Sequence, residues 1–215
     1  MDRAVGIPIV REGLPFVVGS GGAAALASGL GLAGPAAFLG AVTLFTAWFF
    51  RNPKRVSPCS DHAVVAPGDG KVIAVAEEYE PRFLKDDGVR VSIFLNIFDV
   101  HVNRIPCNGI VENVVYQPGQ FIPADRPDAT LRNEQNALMI TTAQGARVLC
   151  VQVAGLIARR IVCWVSPGEA VACGERYGLI RFGSRMDMFL PRSAKLRVGV
   201  GMHVKGGETI LADLA

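Results

Sequence analysis

The chain has 215 residues, half of them hydrophobic, and its 22 Lys and Arg against 19 Asp and Glu leave a net charge of +3. So mild and scattered a positive charge argues against nucleic acid as a partner, and the length suits one ordinary domain with an appendage, or two small domains. Five cysteines (Cys59, Cys107, Cys150, Cys163, Cys173) make no C-x-x-C pair and the three histidines stand far apart; no metal site is expected, and the thiols read as buried or idle in a reducing compartment.

The positive mean hydropathy, +0.33, has a local cause. Gly13 to Phe50 is a run of 38 residues without Asp, Glu, Lys, Arg or His. As one helix it would be roughly 57 Å long, about twice the hydrocarbon core of a bilayer. Gly29, Gly31, Gly34 and Pro35 interrupt it near the middle, which predicts a helical hairpin of about Leu14–Leu30 and Pro35–Phe50. Basic residues flank both ends, Arg3 and Arg11 before it and Arg51, Lys54 and Arg55 after it. The positive-inside rule then puts both termini on the cytoplasmic face of the cell (inner) membrane. Trp48, Phe49 and Phe50 fall where an interfacial aromatic belt belongs. The run is too long for a cleaved signal peptide, and its halves are marginal spans, so crossing the bilayer and dipping into it both remain open.

Residues 1–50 therefore form a membrane-attached segment and 51–215 a second domain, whose texture is β. Val64-Val65, Lys71–Ala76, Val89–Ile97, Gly109–Tyr116, Ala137–Thr142, Arg147–Val153 and Arg160–Val165 are Val- and Ile-rich runs punctuated by Gly, Pro and Asn. That pattern predicts a mainly β domain of sandwich or barrel type, with one short turn near Pro81–Lys85. A V-x-x-G-E-x echo at Val171–Arg176 and Val204–Thr209, beside the turn Ala66–Val72, is typical of hammerhead-like barrels. No lysine tip of the carrier type accompanies it, so the echo speaks for architecture only. The polar, Pro-containing stretch Gln117–Asn136 reads as a long loop, either a cover over a ligand or a solvated linker.

Three places carry chemistry. In Asn96–Pro106, Asp99 and His101 are two residues apart and share a face if the chain there is extended. They then form either a tuned acid/base or a plain hydrogen-bonded pair. Arg104 follows as a permanent cation able to hold a phosphate or carboxylate. Asp69, between Gly68 and Gly70, either completes a relay with His101 or bonds its own turn. Finally Gly183-Ser184 is the minimum chemistry for self-cleavage. Attack of the serine oxygen on the Gly183 carbonyl turns the amide into an ester. Elimination then leaves dehydroalanine, which hydrolyses to a pyruvoyl group able to form a Schiff base. Gly-Ser is also ordinary turn chemistry, as at Gly19-Ser20. His62 and His203 have no such company and read as structural or surface residues.

Three segments together, A-P-G-D-G-K-V around Asp69, F-D-V-H-V-N-R-I-P around His101, and F-G-S at Phe182–Ser184, resemble the phosphatidylserine decarboxylases in their short bacterial form. Asn108-Gly109, Tyr116-x-Pro118-Gly119 and Asn133-Glu134 also fall where that family's pattern has them, and the resemblance runs from about Pro53 to Ala215. It implies that Ser184 becomes a covalent pyruvoyl cofactor, splitting the chain into a β-chain ending at Gly183 and an α-chain of 184–215. It implies that His101 is the acid/base of phosphatidylserine decarboxylation and that Asp69 and Asp99 assist self-processing. Longer members read D-Y-H-x-V-H-x-P, and where their second histidine stands this chain has Arg104, which is no base at neutral pH. They also have Ser-Thr where this chain has Ser184-Arg185. The implied partners are phosphatidylserine, the bilayer, the sister chain and a further copy of the dimer. Two other readings compete: a pyruvoyl enzyme acting on a soluble amino acid, and a membrane-tethered β-domain without chemistry.

Overall fold

A computed structural model of the chain describes residues 8–126, 128–156, 160–181 and 183–215; Arg3, Pro127 and Phe182, on which parts of the reading above rest, lie outside the described residues. The chain divides into two compact units, residues 1–54 and 55–215.

In the first unit a single 3₁₀ turn, Arg11–Gly13, leads into helix α1 (Leu14–Gly29), which is followed by helix α2 (Ala33–Phe49). Gly31 takes the left-handed φ of +73° that the tight link between them requires. Pro35 sits in the first turn of α2, where its missing N–H removes no helical bond. Thr43 Oγ1 of α2 donates to Ser20 Oγ of α1 at 2.9 Å, so the Gly19-Ser20 pair is helical and not a turn. The strands of chain entering and leaving the hairpin meet, Val10 N–H on the Phe50 carbonyl and Asn52 N–H on the Pro8 carbonyl. Arg51 lies 3.9 Å over the Trp48 ring. The helices are apolar all round yet expose Val18, Leu26, Phe38 and Leu44. Among the described residues no helix is long and apolar enough to cross a membrane.

The second unit is mainly β, as expected. Its elements in order are β1 (Ala63–Val65), β2 (Gly70–Glu80), β3 (Asp86–Leu95), β4 (Val102–Arg104), β5 (Gly109–Gln117), the one-turn helix α3 (Ala129–Arg132), β6 (Gln135–Thr141), β7 (Arg147–Ala154), β8 (Ile161–Cys163), β9 (Ala170–Val171), β10 (Arg176–Ile180), β11 (Ser184–Pro191), β12 (Lys195–Leu196), β13 (His203–Val204) and β14 (Ile210–Asp213). A curled eight-stranded sheet runs β13-β2-β3-β11-β7-β6-β5-β9, and two three-stranded sheets, β1-β14-β12 and β4-β10-β8, accompany it. β11 is central, antiparallel to β3 on one side and β7 on the other. Its residues alternate: Met186, Met188 and Leu190 enter the main core, while Phe189 joins a second cluster with Leu149 and Val151 on the opposite face.

The sequence pattern missed β4 and β9 to β14. β4, β9, β12, β13 and β14 are too short to show a period, and β11 carries Arg185 and Asp187, whose charges form a buried pair. The turn near Pro81–Lys85 is held by the buried Glu80 carboxylate, which accepts the N–H groups of Arg82, Phe83 and Leu84. The V-x-x-G-E-x echo is real: Gly174 and Gly207 sit at φ +80° and +75°. Their N–H groups bond the Ile105 and Ala66 carbonyls respectively, each at 2.8 Å.

The expectation about cysteine is corrected. Cys59 and Cys173, 114 residues apart in sequence, form a disulfide with a Cα–Cα distance of 5.9 Å. The fold brings them together by laying the Gly174 turn against Ser57, a juxtaposition no spacing reveals. Cys107, Cys150 and Cys163 are free. Burial pushes the first two thiols up to about 12.

Candidate active site

Ser184 opens β11 and is fully buried, its backbone clamped between Leu95 of β3 and Ala154 of β7. Its Oγ makes no hydrogen bond among the described residues. An unpaired hydroxyl in a dry interior is costly, so a group left in this state calls for a reason. The preceding Gly183 adopts φ +68°, a left-handed conformation that glycine reaches without the penalty of a Cβ. The peptide joining them thus leaves a left-handed turn and enters a fixed strand. Gly155, just past β7, presses its Cα against the Gly183 carbonyl oxygen so closely that a Cβ there would collide with it.

His101 arrives from the opposite side. Residues 96–100 form a turn instead of an extended strand: the Asp99 carboxylate accepts the Asn96 N–H at 2.8 Å, and the Asp99 N–H donates to the Asn96 carbonyl. Asp99 therefore closes the turn that carries His101. The His101 ring meets Asp99 through the backbone, with Nδ1 3.0 Å from the Asp99 carbonyl oxygen. A carbonyl only accepts, so Nδ1 carries the hydrogen and Nε2 is left with its lone pair. That lone pair accepts the Gly183 N–H at 3.2 Å. The fold has brought together His101 and Gly183, 82 residues apart, with Ser184 next in the chain.

Asp69 and Arg104 are engaged elsewhere. The Asp69 carboxylate accepts from Arg55 and from the Gly206 N–H, each at 2.8 Å, tying the Gly68–Gly70 turn to the second echo turn. The same Arg55 binds Glu208 at 2.9 Å and holds that carboxyl below its ordinary range. Arg104 is buried and donates to the Gly174 carbonyl at 2.9 Å. Desolvation, with Arg55 and Arg176 nearby, lowers its pKa to about 10. These bonds give Asp69 and Arg104 a use in joining the two echo turns.

The stretch Gln117–Asn136 is a docked strap, not a solvated linker. Asn133 pins its base, donating to the Ile122 and Ala154 carbonyls at 2.8 and 2.7 Å. Arg185 pins its middle. The guanidinium is 1% exposed and donates to the carbonyls of Ala124 and Arg126 at 3.1 and 3.0 Å, and to Thr130 Oγ1. Its Nε faces Asp187 at 2.9 Å. Burial lowers the Arg185 pKa, and Asp187 opposes that fall. Both side chains lie on the face of β11 opposite to Ser184, so the residue after the serine fastens the strap behind the Gly183–Ser184 peptide. Gly155 and Gln152 are site neighbours that no motif singled out, and Asn103 and Arg185, though inside or beside the quoted motifs, were given no role there; their signal is tertiary.

Residues 42–212 match the family model described as phosphatidylserine decarboxylase. The chain is 48% identical over 205 residues to the phosphatidylserine decarboxylase proenzyme of Geotalea daltonii, covering 95% of this chain and 96% of that one. The chain belongs to the phosphatidylserine decarboxylase family. It is similarly 46% identical to the proenzyme of Syntrophus aciditrophicus over 94% of this chain and 96% of that one. With that of Desulfotalea psychrophila it shares 42% over 97% of each. As a family member this chain is an enzyme, and its Arg104 is occupied by a carbonyl and not poised as a base.

Proposed function

We propose that the chain cuts itself between Gly183 and Ser184 and then decarboxylates phosphatidylserine to phosphatidylethanolamine and CO₂ at a pyruvoyl group made from Ser184. The observation that carries this reading is the hydrogen bond from the Gly183 N–H to His101 Nε2, next in the chain to a buried Ser184 hydroxyl that has no partner among the described residues. Ser184 fits the role, since its hydroxyl is free of competing bonds and the left-handed Gly183 presents a carbonyl on a fixed strand end. A pyruvoyl group at this position supplies a ketone that takes up an amine and draws off the electron pair released with CO₂.

The chain's own residues do the rest. The Asp99 carbonyl on the far ring nitrogen leaves the lone pair on His101 Nε2, which can exchange the Gly183 N–H for the Ser184 proton as the oxygen attacks. The proton passes to the Ser184 nitrogen as the amide gives way to the ester; removal of the Ser184 α-proton then expels Gly183 as a carboxylate, and water hydrolyses the dehydroalanine to the ketone with release of ammonia. In the decarboxylation step His101 Nε2, once it has taken up a proton from solvent, can donate it to the carbon that has lost CO₂. One histidine thus serves both steps, in keeping with an arginine at the place of the longer members' second histidine. Asp99 positions His101 by closing its turn, and Asp69 positions the Gly68–Gly70 turn.

The helical hairpin belongs to the same reading. Its exposed Val18, Leu26, Phe38 and Leu44 suit acyl chains, and the Arg51–Trp48 contact suits an interface. We place the enzyme at the cytoplasmic face of the cell membrane, where its lipid substrate stays in the bilayer. The test is the intact mass of the purified protein beside Ser184→Ala, followed by borohydride trapping with phosphatidylserine or a free amino acid. Two chains breaking at Gly183–Ser184, none in the variant, and lipid amine trapped on the small chain are expected. A single uncut chain in folded wild-type protein sinks the reading. Trapping of a soluble amino acid alone would reassign the substrate.

A further inference from the structure

Asn103 lies two residues past His101, in β4, and is fully buried. Its Oδ1 accepts from Gln152 Nε2 at 2.8 Å, and Gln152 Oε1 in turn accepts from Asn136 Nδ2 at 3.0 Å. This relay fixes which way the Asn103 amide faces, because a flip would set two NH₂ groups against each other. The NH₂ end, Nδ2, is left buried without a hydrogen-bond partner among the described residues. It shares its surroundings with Leu95 and Met186. All three approach the spot where a Cβ on Gly68 would stand, at 3.2 Å for Leu95 Cδ2, 3.4 Å for Nδ2 and 3.6 Å for Met186 Cγ.

Leu95 is the strand partner of Ser184, and Met186 follows Ser184 on the same face of β11. One pleat repeat, roughly 7 Å, separates those two side chains. The orphaned donor and the orphaned Ser184 hydroxyl therefore lie on the same core-facing side of β11. A buried amide NH₂ without an acceptor is expensive unless something brings one. The serine oxygen does not serve, because Ser184 Oγ makes no hydrogen bond among the described residues. A carboxylate is acceptor-only and fits.

We infer that Asn103 is a substrate-binding residue whose Nδ2 donates to the carboxylate of the serine head-group, with Gln152 setting its orientation. This rests on the proposed decarboxylase reading. The bond holds the carboxylate next to residue 184, so that the head-group amine and the departing CO₂ are both oriented by groups on β4 and β11.

The test uses the full chain as Asn103→Asp and Gln152→Glu. Aspartate keeps an acceptor for Gln152 but replaces the donor with an anion; glutamate invites the Asn103 amide to turn round. Both variants should cut themselves at the wild-type rate. In both, KM for phosphatidylserine in mixed micelles should rise by roughly ten- to a hundredfold, the range of a lost hydrogen bond to a charged group. For Asn103→Asp the loss should shrink as pH is lowered and the carboxyl regains a proton to donate, which a merely structural defect would not do. Glycerophosphoserine should inhibit wild type better than glycerophosphoethanolamine, and Asn103→Asp should erase that preference. An Asn103→Asp enzyme with wild-type KM and preference overturns the inference, as does slowed cutting with unchanged KM, which would give the amide to the Ser184 oxygen. If Asn103→Asp does not fold, Gln152→Glu decides by the same KM criterion. Should wild type neither cut itself nor release CO₂, it is the decarboxylase reading that has failed.

Discussion

Gly155→Ala adds one methyl group, and the structure says where it goes: onto the carbonyl oxygen of Gly183, at the bond we propose is cut. To reach ordinary van der Waals contact the carbonyl has to retreat by roughly 1 Å. Overpacking of this kind costs about 1–3 kcal/mol of stability, and a displacement of about 1 Å at a reacting atom costs on the order of a hundredfold in rate. Gly88 provides a matched control. A Cβ there would stand 2.7 Å from the Leu190 carbonyl oxygen, an insult to the same strand at its far end. Both variants should lose comparable stability in a thermal melt. Only Gly155→Ala should slow self-cleavage, by about two orders of magnitude, when intact mass is followed after synthesis. If Gly155→Ala cuts as fast as Gly88→Ala while both remain folded, the Gly183 carbonyl is not held where we place it.

His101→Gln should still fold, since an amide can accept the Gly183 N–H, yet it should cut and decarboxylate about 10²–10⁴ times more slowly; a loss below threefold in both steps would remove His101 from the chemistry. Arg185→Lys keeps a charge for Asp187 but loses the two carbonyl bonds to the strap. Hydrogen exchange at residues 120–133 should accelerate about tenfold, the worth of roughly one charged hydrogen bond, and unchanged exchange would free the strap from Arg185. The Cys59–Cys173 cross-link closes 114 residues, so Cys59→Ser should cost about 4–5 kcal/mol on the chain-entropy view, visible as a lower Tm; an equal Tm with and without reductant would count against the bond. The raised Cys107 and Cys150 pKa, about 12 in each case, keeps both as neutral thiols at pH 8. A thiol reagent should then modify at most Cys163 before unfolding. Because their folded pKa lies above the unfolded one, about 8.5, the stabilising contribution of these thiols is complete below 8.5 and is lost as pH rises towards 12.

The local features were legible because they are written in neighbouring residues. The uncharged run and its Gly-Pro break determined two helices, for a chain without charge has no polar face and glycine sets the turn. Val- and Ile-rich runs determined most of the large sheet, and the motif around Gly183-Ser184 marked the bond to watch. Tertiary structure decided what required two distant segments to be compared. β11 carries the charged Arg185 and Asp187, and only burial against the strap reveals them as a pair. The Asp99–His101 contact runs through a carbonyl, because the turn at 96–100 replaces the extended chain that spacing implied. Arg104 was read as a free cation until the Gly174 carbonyl occupied it. The disulfide, the place of Gly155 against a carbonyl and the unpaired amide of Asn103 all depend on what lies across a gap in space. A one-dimensional pattern carries periodicity and local conformation; it holds no record of which buried polar atom has been left without a partner.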